Sequence, residues 1–237
     1  MNKRLLIFDF DKTIIQNDAI HFLAQHFIPD LYNKMKGNLY KVNDWIAFNN
    51  EIFQEMKKNN VTIEKLKEKM GEIELSPNFN ELFSFLKKNK DKYDINIISA
   101  GNKYLISNIL QHKNLLSLFT NIYADNGEEN KENLIKVSSL GFLNCVECYP
   151  ALCKSLIYEK YFKGKYKQNI FVCDGYNDFC LSKKFNKNDI ILVRKNHNLF
   201  HILYKKNGIK ELKCKVNIWE NGLEVLKVLE NELNFLI

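Results

Sequence analysis

Asp9 and Asp11 stand one residue apart at the end of an apolar run, Leu5-Leu-Ile-Phe8, and Thr13 follows two positions later. Two carboxylates this close repel each other without a cation. A hard, oxygen-seeking ion such as Mg2+ relieves that repulsion and leaves coordination positions for a substrate phosphate. Ser99 closes a second apolar run, 95–98. Its hydroxyl can hydrogen-bond a phosphate oxygen, with the backbone donors of Ala100 and Gly101 beside it. Lys154 opens a helical stretch over 155–162 and carries the charge to neutralise a bound phosphate. A third run delivers Phe171-Val-Cys-Asp174-Gly175-Tyr-Asn177-Asp178. There Asp174 reads as a further metal ligand, with Asn177 and Asp178 in support. Asp178 would orient the metal's waters or hold Lys154. Each residue alone has a plainer reading: Ser99 as a helix cap, Lys154 as a surface lysine, Asp174-Gly175 as a turn. Their order along the chain is what carries the chemistry.

Strands must place these groups. An apolar run that ends in polar residues is how a buried parallel strand presents chemistry at the carboxyl edge of an α/β sheet. Strands are expected at 5–10, 95–98, 169–173 and 189–193, with a further short one at 121–124, alternating with helical patterns. Between the first strand and Ser76 the pattern is instead helical, with apolar residues at three- and four-residue spacing over 21–27, 44–56 and 63–70. Leu75-Ser76-Pro77 marks the return, since Pro opens a following helix well. The organisation predicted is a doubly wound parallel α/β sheet over residues 1–15 and 77–237, with an inserted α-helical cap over 16–76. Such a cap either closes over substrate and excludes water, or is a helical addition without a gating role.

The length of 237 residues suffices for one such core with an insertion. No stretch approaches the roughly 20 consecutive apolar residues of a membrane span. Met1-Asn-Lys-Arg leads at once into the first strand, which leaves no room for a cleaved signal peptide, so a cytoplasmic protein is expected. The net charge of +7 comes from lysines interleaved with Asn and Glu along the whole chain, which fits solvated helix faces rather than a nucleic-acid surface. Six cysteines in such a chain point to reduced thiols. Cys145, Cys148 and Cys153 have spacing that could hold zinc, given a fourth ligand from Cys173 or Cys180. The favoured reading is that they are buried thiols. Nothing in the sequence sets the oligomeric state.

The motifs Asp9-x-Asp11-x-Thr13, strand-end Ser99, Lys154 and Asp174-Gly-x-Asn177-Asp178 resemble, in type and order, those of the haloacid dehalogenase (HAD) superfamily of phosphotransferases. Cys145-x-x-Cys148-x-Pro-x-x-Cys153-Lys154, followed by Asp174-Gly-x-Asn-Asp-Phe-Cys180, is similar to a narrower group. That group comprises the phosphoethanolamine/phosphocholine phosphatases and their pyridoxal-phosphate-phosphatase paralogues. The stretch 85–99, Val193-Arg194 and Val216-Asn-Ile-Trp219 fit as well. The resemblance implies a HAD-like, Rossmann-type fold and a Mg2+-dependent phosphatase. Asp9 would be the nucleophile, and Asp11 the acid that protonates the leaving alkoxide and then activates water. Mg2+ would be held by Asp9, Asp174 and the backbone carbonyl of Asp11, and the phosphoryl oxygens by Thr13, Ser99 and Lys154. Two departures bear on substrate. The family usually has an aspartate where this chain has Ala100, and an N-S-D run where it has Gln16-Asn17-Asp18. The family's acidic positions hold cationic head groups, so pyridoxal 5'-phosphate is the leading expectation. Phosphoethanolamine or phosphocholine is the alternative, and a nucleotide or protein phosphatase or a silent binding module follow.

Overall fold

The computed structural model describes residues 3–36, 44–142, 145, 147–148 and 152–234. Pro150 of the cysteine-rich motif lies outside them. The first strand, β1 (Arg4–Phe8), is buried along its whole length. Its side chains alternate between two cores: Leu6 and Phe8 face one, Leu5 and Ile7 the other. This is why the run is continuously apolar, as a strand covered on both faces must be. Phe8 anchors the first core by edge-to-face contacts with Phe79, Phe83 and Phe119, at centroid separations of 6.4, 6.0 and 6.3 Å.

Around β1 lie β2 (Tyr93–Asn102), β3 (Asn121–Glu129), β4 (Ile135–Ser138), β5 (Asn169–Cys173), β6 (Ile190–Arg194) and β7 (Lys215–Trp219), in the order β4-β3-β2-β1-β5-β6-β7. The chain winds outward from β1 to β4 and returns through β5, so β1 sits where strand order reverses. In open α/β sheets this switch point is where a ligand crevice forms. Phe8 is in register with Ile97 on one side and Val172 on the other. The residues that follow these positions therefore emerge side by side at one edge.

Two features depart from the sequence expectation. β4 pairs antiparallel with β3, so the sheet is mixed rather than parallel throughout. The expected strand at 121–124 continues through Glu129 to form this hairpin. β7 makes a further parallel strand beside β6, in the segment whose motif had been noted but not its pairing.

Among the described residues, four α-helices lie between β1 and Leu75: α1 (Ala19–Phe27), α2 (Pro29–Lys36), α3 (Trp45–Lys58) and α4 (Ile63–Glu72). The helical pattern identified α1, α3 and α4, and missed α2. Side-chain caps start three of them: Asp18 accepts from the His21 amide, Asp44 from Ile46 and Ala47, and Thr62 from Lys65. The insertion joins the sheet through a narrow neck, where Ile15 bridges Leu75 antiparallel and the Ser76 amide donates to the Ile14 carbonyl at 2.9 Å. It also docks on the sheet edge. The Asn50 side chain donates to the Val137 carbonyl and accepts from the Val137 amide, at 2.9 and 2.8 Å, satisfying backbone groups of β4.

The remaining helices are α5 (Phe79–Lys88), α6 (Lys103–His112), α7 (Lys154–Tyr161), α8 (Asp178–Ser182), α9 (Asn198–Lys205) and α10 (Gly222–Asn234). Leu82, Leu105 and Val225, on α5, α6 and α10, pack into the first core. Ile157, Leu181 and Leu199, on α7, α8 and α9, pack into the second. A Cβ on Gly222 would lie 2.3 Å from the Asn78 carbonyl oxygen, so only glycine lets α10 start against the head of α5.

Candidate functional site

Asp9 leaves β1 with its amide bonded to the Val172 carbonyl at 2.9 Å, which aims the residue at the carboxyl edge. The chain then turns sharply through 10–14, and Lys12 adopts a left-handed conformation with φ 56°. A lysine there is unusual, and such strain collects at functional sites. The turn brings Asp11 back over the edge, where its Oδ1 accepts from the Ala19 amide at 2.8 Å. Thr13 is fully buried, and its Oγ1 donates to Asp174 Oδ1 at 3.3 Å.

Lys154 is the pivot. Its side chain is fully buried, and Nζ lies 2.5 Å from both Asp9 Oδ1 and Asp178 Oδ1. Asp178 Oδ2 accepts from the amides of Asp174 and Gly175, at 3.1 and 2.7 Å. One carboxylate thus fixes both the lysine and the strand end that carries Asp174. A side chain on Gly175 would crowd this loop, since its Cβ would meet Asn177 Oδ1 at 2.9 Å. The sequence left Asp178 two roles, and the structure places it on Lys154.

Burial dominates the electrostatics. It pushes the Asp9 carboxyl up to about 6, with Asp174 adding to the rise and Lys154 opposing it. Asp178 is likewise pushed up to about 6 by burial against the pull of Lys154. Burial, then the charge of Asp18, raises Asp11 well above the usual carboxylate range, as suits a group that delivers a proton. Burial pulls the Lys154 ammonium down, but Asp178 and Asp9 outweigh it and the net direction is up. The ligand oxygens of Asp9, Asp174 and Asp178 lie within 4.8 Å of one another. Two of these buried carboxylates share the Lys154 ammonium, while the Asp174 carboxylate meets Thr13 and His197, so this all-oxygen set fits a hard divalent cation. The side chain grouped with Asp9 and Asp174 is that of Asp178, not Asp11, and Asp178 is already engaged by Lys154.

Ser99 is buried at the site, but its Oγ accepts from the Gly101 amide at 3.0 Å. The Gly101 amide, expected beside Ala100 as a donor to phosphate, is engaged by the serine in this structure. Asn102, not Ser99, caps the next helix, accepting from the Leu105 amide. Gly101 sits tight against Asp11 and Ser99, for a Cβ there would lie 3.1 Å from Asp11 Oδ2 and 3.3 Å from Ser99 Oγ.

A cleft of about 340 Å³ opens over Asp9, Asp11, Ser99, Ala100, Asp174 and Asn177. Trp45 of α3 walls it, and its Nε1 donates to the Ala100 carbonyl at 2.9 Å. Sequence reasoning missed this residue, because a lone Trp in a helical insertion carries no spacing signal. It also missed His197, whose Nδ1 lies 3.0 Å from Asp174 Oδ2. A signal existed: His197 follows the end of β6, and the three strands already identified each deliver a polar group at that edge.

A family model described as Putative Phosphatase matches residues 4–233. The chain belongs to this phosphatase family. It is a phosphoric monoester hydrolase with a HAD-like fold. The pyridoxal phosphate phosphatase PHOSPHO2 of Bos taurus is 26% identical over 96% of this chain and 98% of its own length. The phosphoethanolamine/phosphocholine phosphatase of Gallus gallus is 25% identical over 98% and 89%. Among solved structures, a phospho-aspartyl intermediate analogue of phosphoserine phosphatase superposes with a TM-score of 0.61 at 18% identity, covering 96% of this chain and 99% of that one. At this identity the likeness shows the fold. Among the described residues no helix of the phosphatase is long and apolar enough to cross a membrane.

Proposed function

We propose that this phosphatase hydrolyses a small, ring-bearing phosphomonoester through an aspartyl-phosphate intermediate, with pyridoxal 5'-phosphate as the best candidate substrate. The observation that carries the reading is Asp9 in the lining of a cleft sized for one small molecule, backed by the buried Lys154–Asp178 pair. Bound at Asp9 and Asp174, Mg2+ would neutralise phosphate charge and keep Asp9 ionised. Asp9 attacks phosphorus, and the bond from phosphorus to the substrate oxygen breaks as Asp11 passes that oxygen its proton. Asp11, now a carboxylate, takes a proton from the water that cleaves the acyl phosphate. Lys154 orients Asp9 and, with Thr13 and Ser99, meets the charge on the phosphoryl oxygens. The insertion over residues 16–76 serves as the lid of a core formed by 1–15 and 77–237, with Trp45 as its contact to substrate.

Two things support pyridoxal phosphate. Trp45 offers a flat aromatic wall to a pyridine ring. The Ala100 position also brings no carboxylate to meet an ammonium group. Asp18 favours the second reading, a phosphoethanolamine or phosphocholine substrate, because it lines the same cleft. Its charge is partly engaged, however, by Lys12 at 3.9 Å and His21 at 3.8 Å. The test is kcat/KM with Mg2+ for pyridoxal phosphate, phosphoethanolamine and phosphocholine, together with acid-quench trapping of phosphorylated enzyme. Pyridoxal phosphate should lead. A preference for phosphocholine overturns the substrate assignment, and a failure to trap label on wild type while Asp9→Asn still turns over overturns the mechanism.

A further inference from the structure

Away from the carboxylates, four thiols converge. Cys145 and Cys148 come from one turn, closed by a hydrogen bond from the Cys148 amide to the Cys145 carbonyl at 3.3 Å. Cys153 occupies the cap position of α7, and Cys180 lies in α8. All four sulfur atoms lie within 4.8 Å of one another. The Sγ of Cys180 is 3.8 Å from that of Cys145 and 4.0 Å from that of Cys153. Sequence spacing left Cys173 and Cys180 as equal candidates for the fourth position. The structure brings in Cys180, whereas the Cys173 sulfur donates to the Leu192 carbonyl and packs in the second core.

The separations are informative. A disulfide would hold its sulfurs about 2.05 Å apart. Four thiolates around one zinc, each at about 2.3 Å, sit at the corners of a tetrahedron whose edges are about 3.8 Å. Apolar packing alone gives no reason for four sulfurs from three chain segments to share one centre. We propose that Cys145, Cys148, Cys153 and Cys180 bind a structural zinc ion.

The surroundings fit that ion. Four thiols binding Zn2+ as thiolates release four protons and leave the site with two negative charges. Ser155, itself buried, places its Oγ 3.1 Å from the Cys153 sulfur and 3.2 Å from the Cys180 sulfur, where a hydroxyl proton can support either thiolate. Lys183 follows α8 and pairs at 2.6 Å with Glu147, which lies inside the Cys145–Cys148 turn. Three of the four cysteines are buried, so the site is closed, as structural zinc sites are. Its place in the chain gives it a purpose. Cys153 precedes Lys154, and Cys180 follows Asp178 by two residues. The ion therefore cross-links the two segments that carry the buried Lys154–Asp178 pair, and pins the turn whose Cys148 borders the catalytic cleft.

Metal analysis of the full chain, expressed with zinc and purified without chelator, tests this. About one zinc per chain should survive a chelator wash that strips Mg2+, and Asp9→Asn should carry the same amount. Refolding with cobalt should give the visible absorption of a tetrahedral thiolate complex. Ser155→Ala should weaken zinc retention about 10- to 100-fold. Cys180→Ser should lose the ion, and if that variant does not fold, the wild-type zinc content and cobalt spectrum decide alone. Folded, active wild type that holds no zinc and gives no cobalt thiolate spectrum overturns the proposal. So does zinc that disappears in Asp9→Asn, which would place it at the carboxylates.

Discussion

The carboxylate cluster and the sulfur cluster are neighbours along the chain and opposites in design. Asp178 and Cys180 both lie in α8, Lys154 and Cys153 stand side by side at the start of α7, and the other groups of each cluster come from separate segments. Asp9 and Asp174 face a cleft, and Asp9 and the fully buried Asp178 are held by a protein ammonium that cannot leave. The sulfurs face one another, and three of the four cysteines are buried. An open oxygen set suits a cation that shares its coordination with substrate; a closed sulfur set suits an ion that never exchanges. The two clusters thus meet at α7 and α8, one completed by Asp9 and Asp174 at strand ends and the other by the Cys145–Cys148 turn.

The sharpest way to break this contrast is Asp9→Asn. The amide keeps the shape and removes the nucleophile, so turnover should fall by at least about 10⁴-fold while the sulfur cluster is untouched. Wild-type-like phosphate release from this variant would remove Asp9 from the chemistry. Lys154→Met tests whether the carboxylates depend on their internal cation. Taking one partner from a buried ion pair costs roughly 3–5 kcal/mol, read from urea denaturation, and activity should be lost with it. A variant as stable as wild type would show that the carboxylates tolerate being left alone.

Asp11→Asn should cost 10²- to 10⁴-fold in kcat, about the contribution of a general acid, without loss of stability. A loss below about tenfold would count against that role. The smallest effect concerns the wall of the cleft. Ala100→Asp should shift the kcat/KM ratio towards phosphoethanolamine by roughly 10- to 150-fold, the worth of about 1.5–3 kcal/mol in a partly desolvated charge pair. Trp45 bonds to the main chain of residue 100, so the substitution leaves that contact in place. An unchanged ratio would assign specificity to the insertion instead.

The parts legible in the sequence were those with a repeating physical cause. β1 and β5 had to be continuously apolar because both faces are covered, and each had to end where the polar edge begins. α1, α3 and α4 showed because burying one face imposes a helical period. α2 did not, since Pro29-Asp30-Leu31-Tyr32 gives too little apolar face to read. β4 hid because its pattern is short and its partner is a local hairpin. Pairings across the fold were beyond reach for a different reason. His197, just after β6, meets Asp174, and Cys180 rather than Cys173 joins the other sulfurs. Each is decided by register and strand order, which no single segment encodes.

The neck at Ile15 and Leu75 has one more implication. The insertion enters and leaves the core at a single antiparallel bridge, with Gln16 and Glu74 paired through backbone and side chains at 3.1 and 3.0 Å. Closing a chain segment between two such adjacent points costs only about 0.6 kcal/mol more for each doubling of its length. Chain connectivity therefore sets little limit on the length of the segment, while Asp9, Lys154 and Asp174 stay where the sheet holds them. What ties the segment down is its packing in the first core, the Asn50 bonds to β4 and the Ala19 amide on Asp11. In protein engineering terms, a graft across that bridge should change what the enzyme accepts and keep how it works only where it restores the amide that Ala19 gives to Asp11.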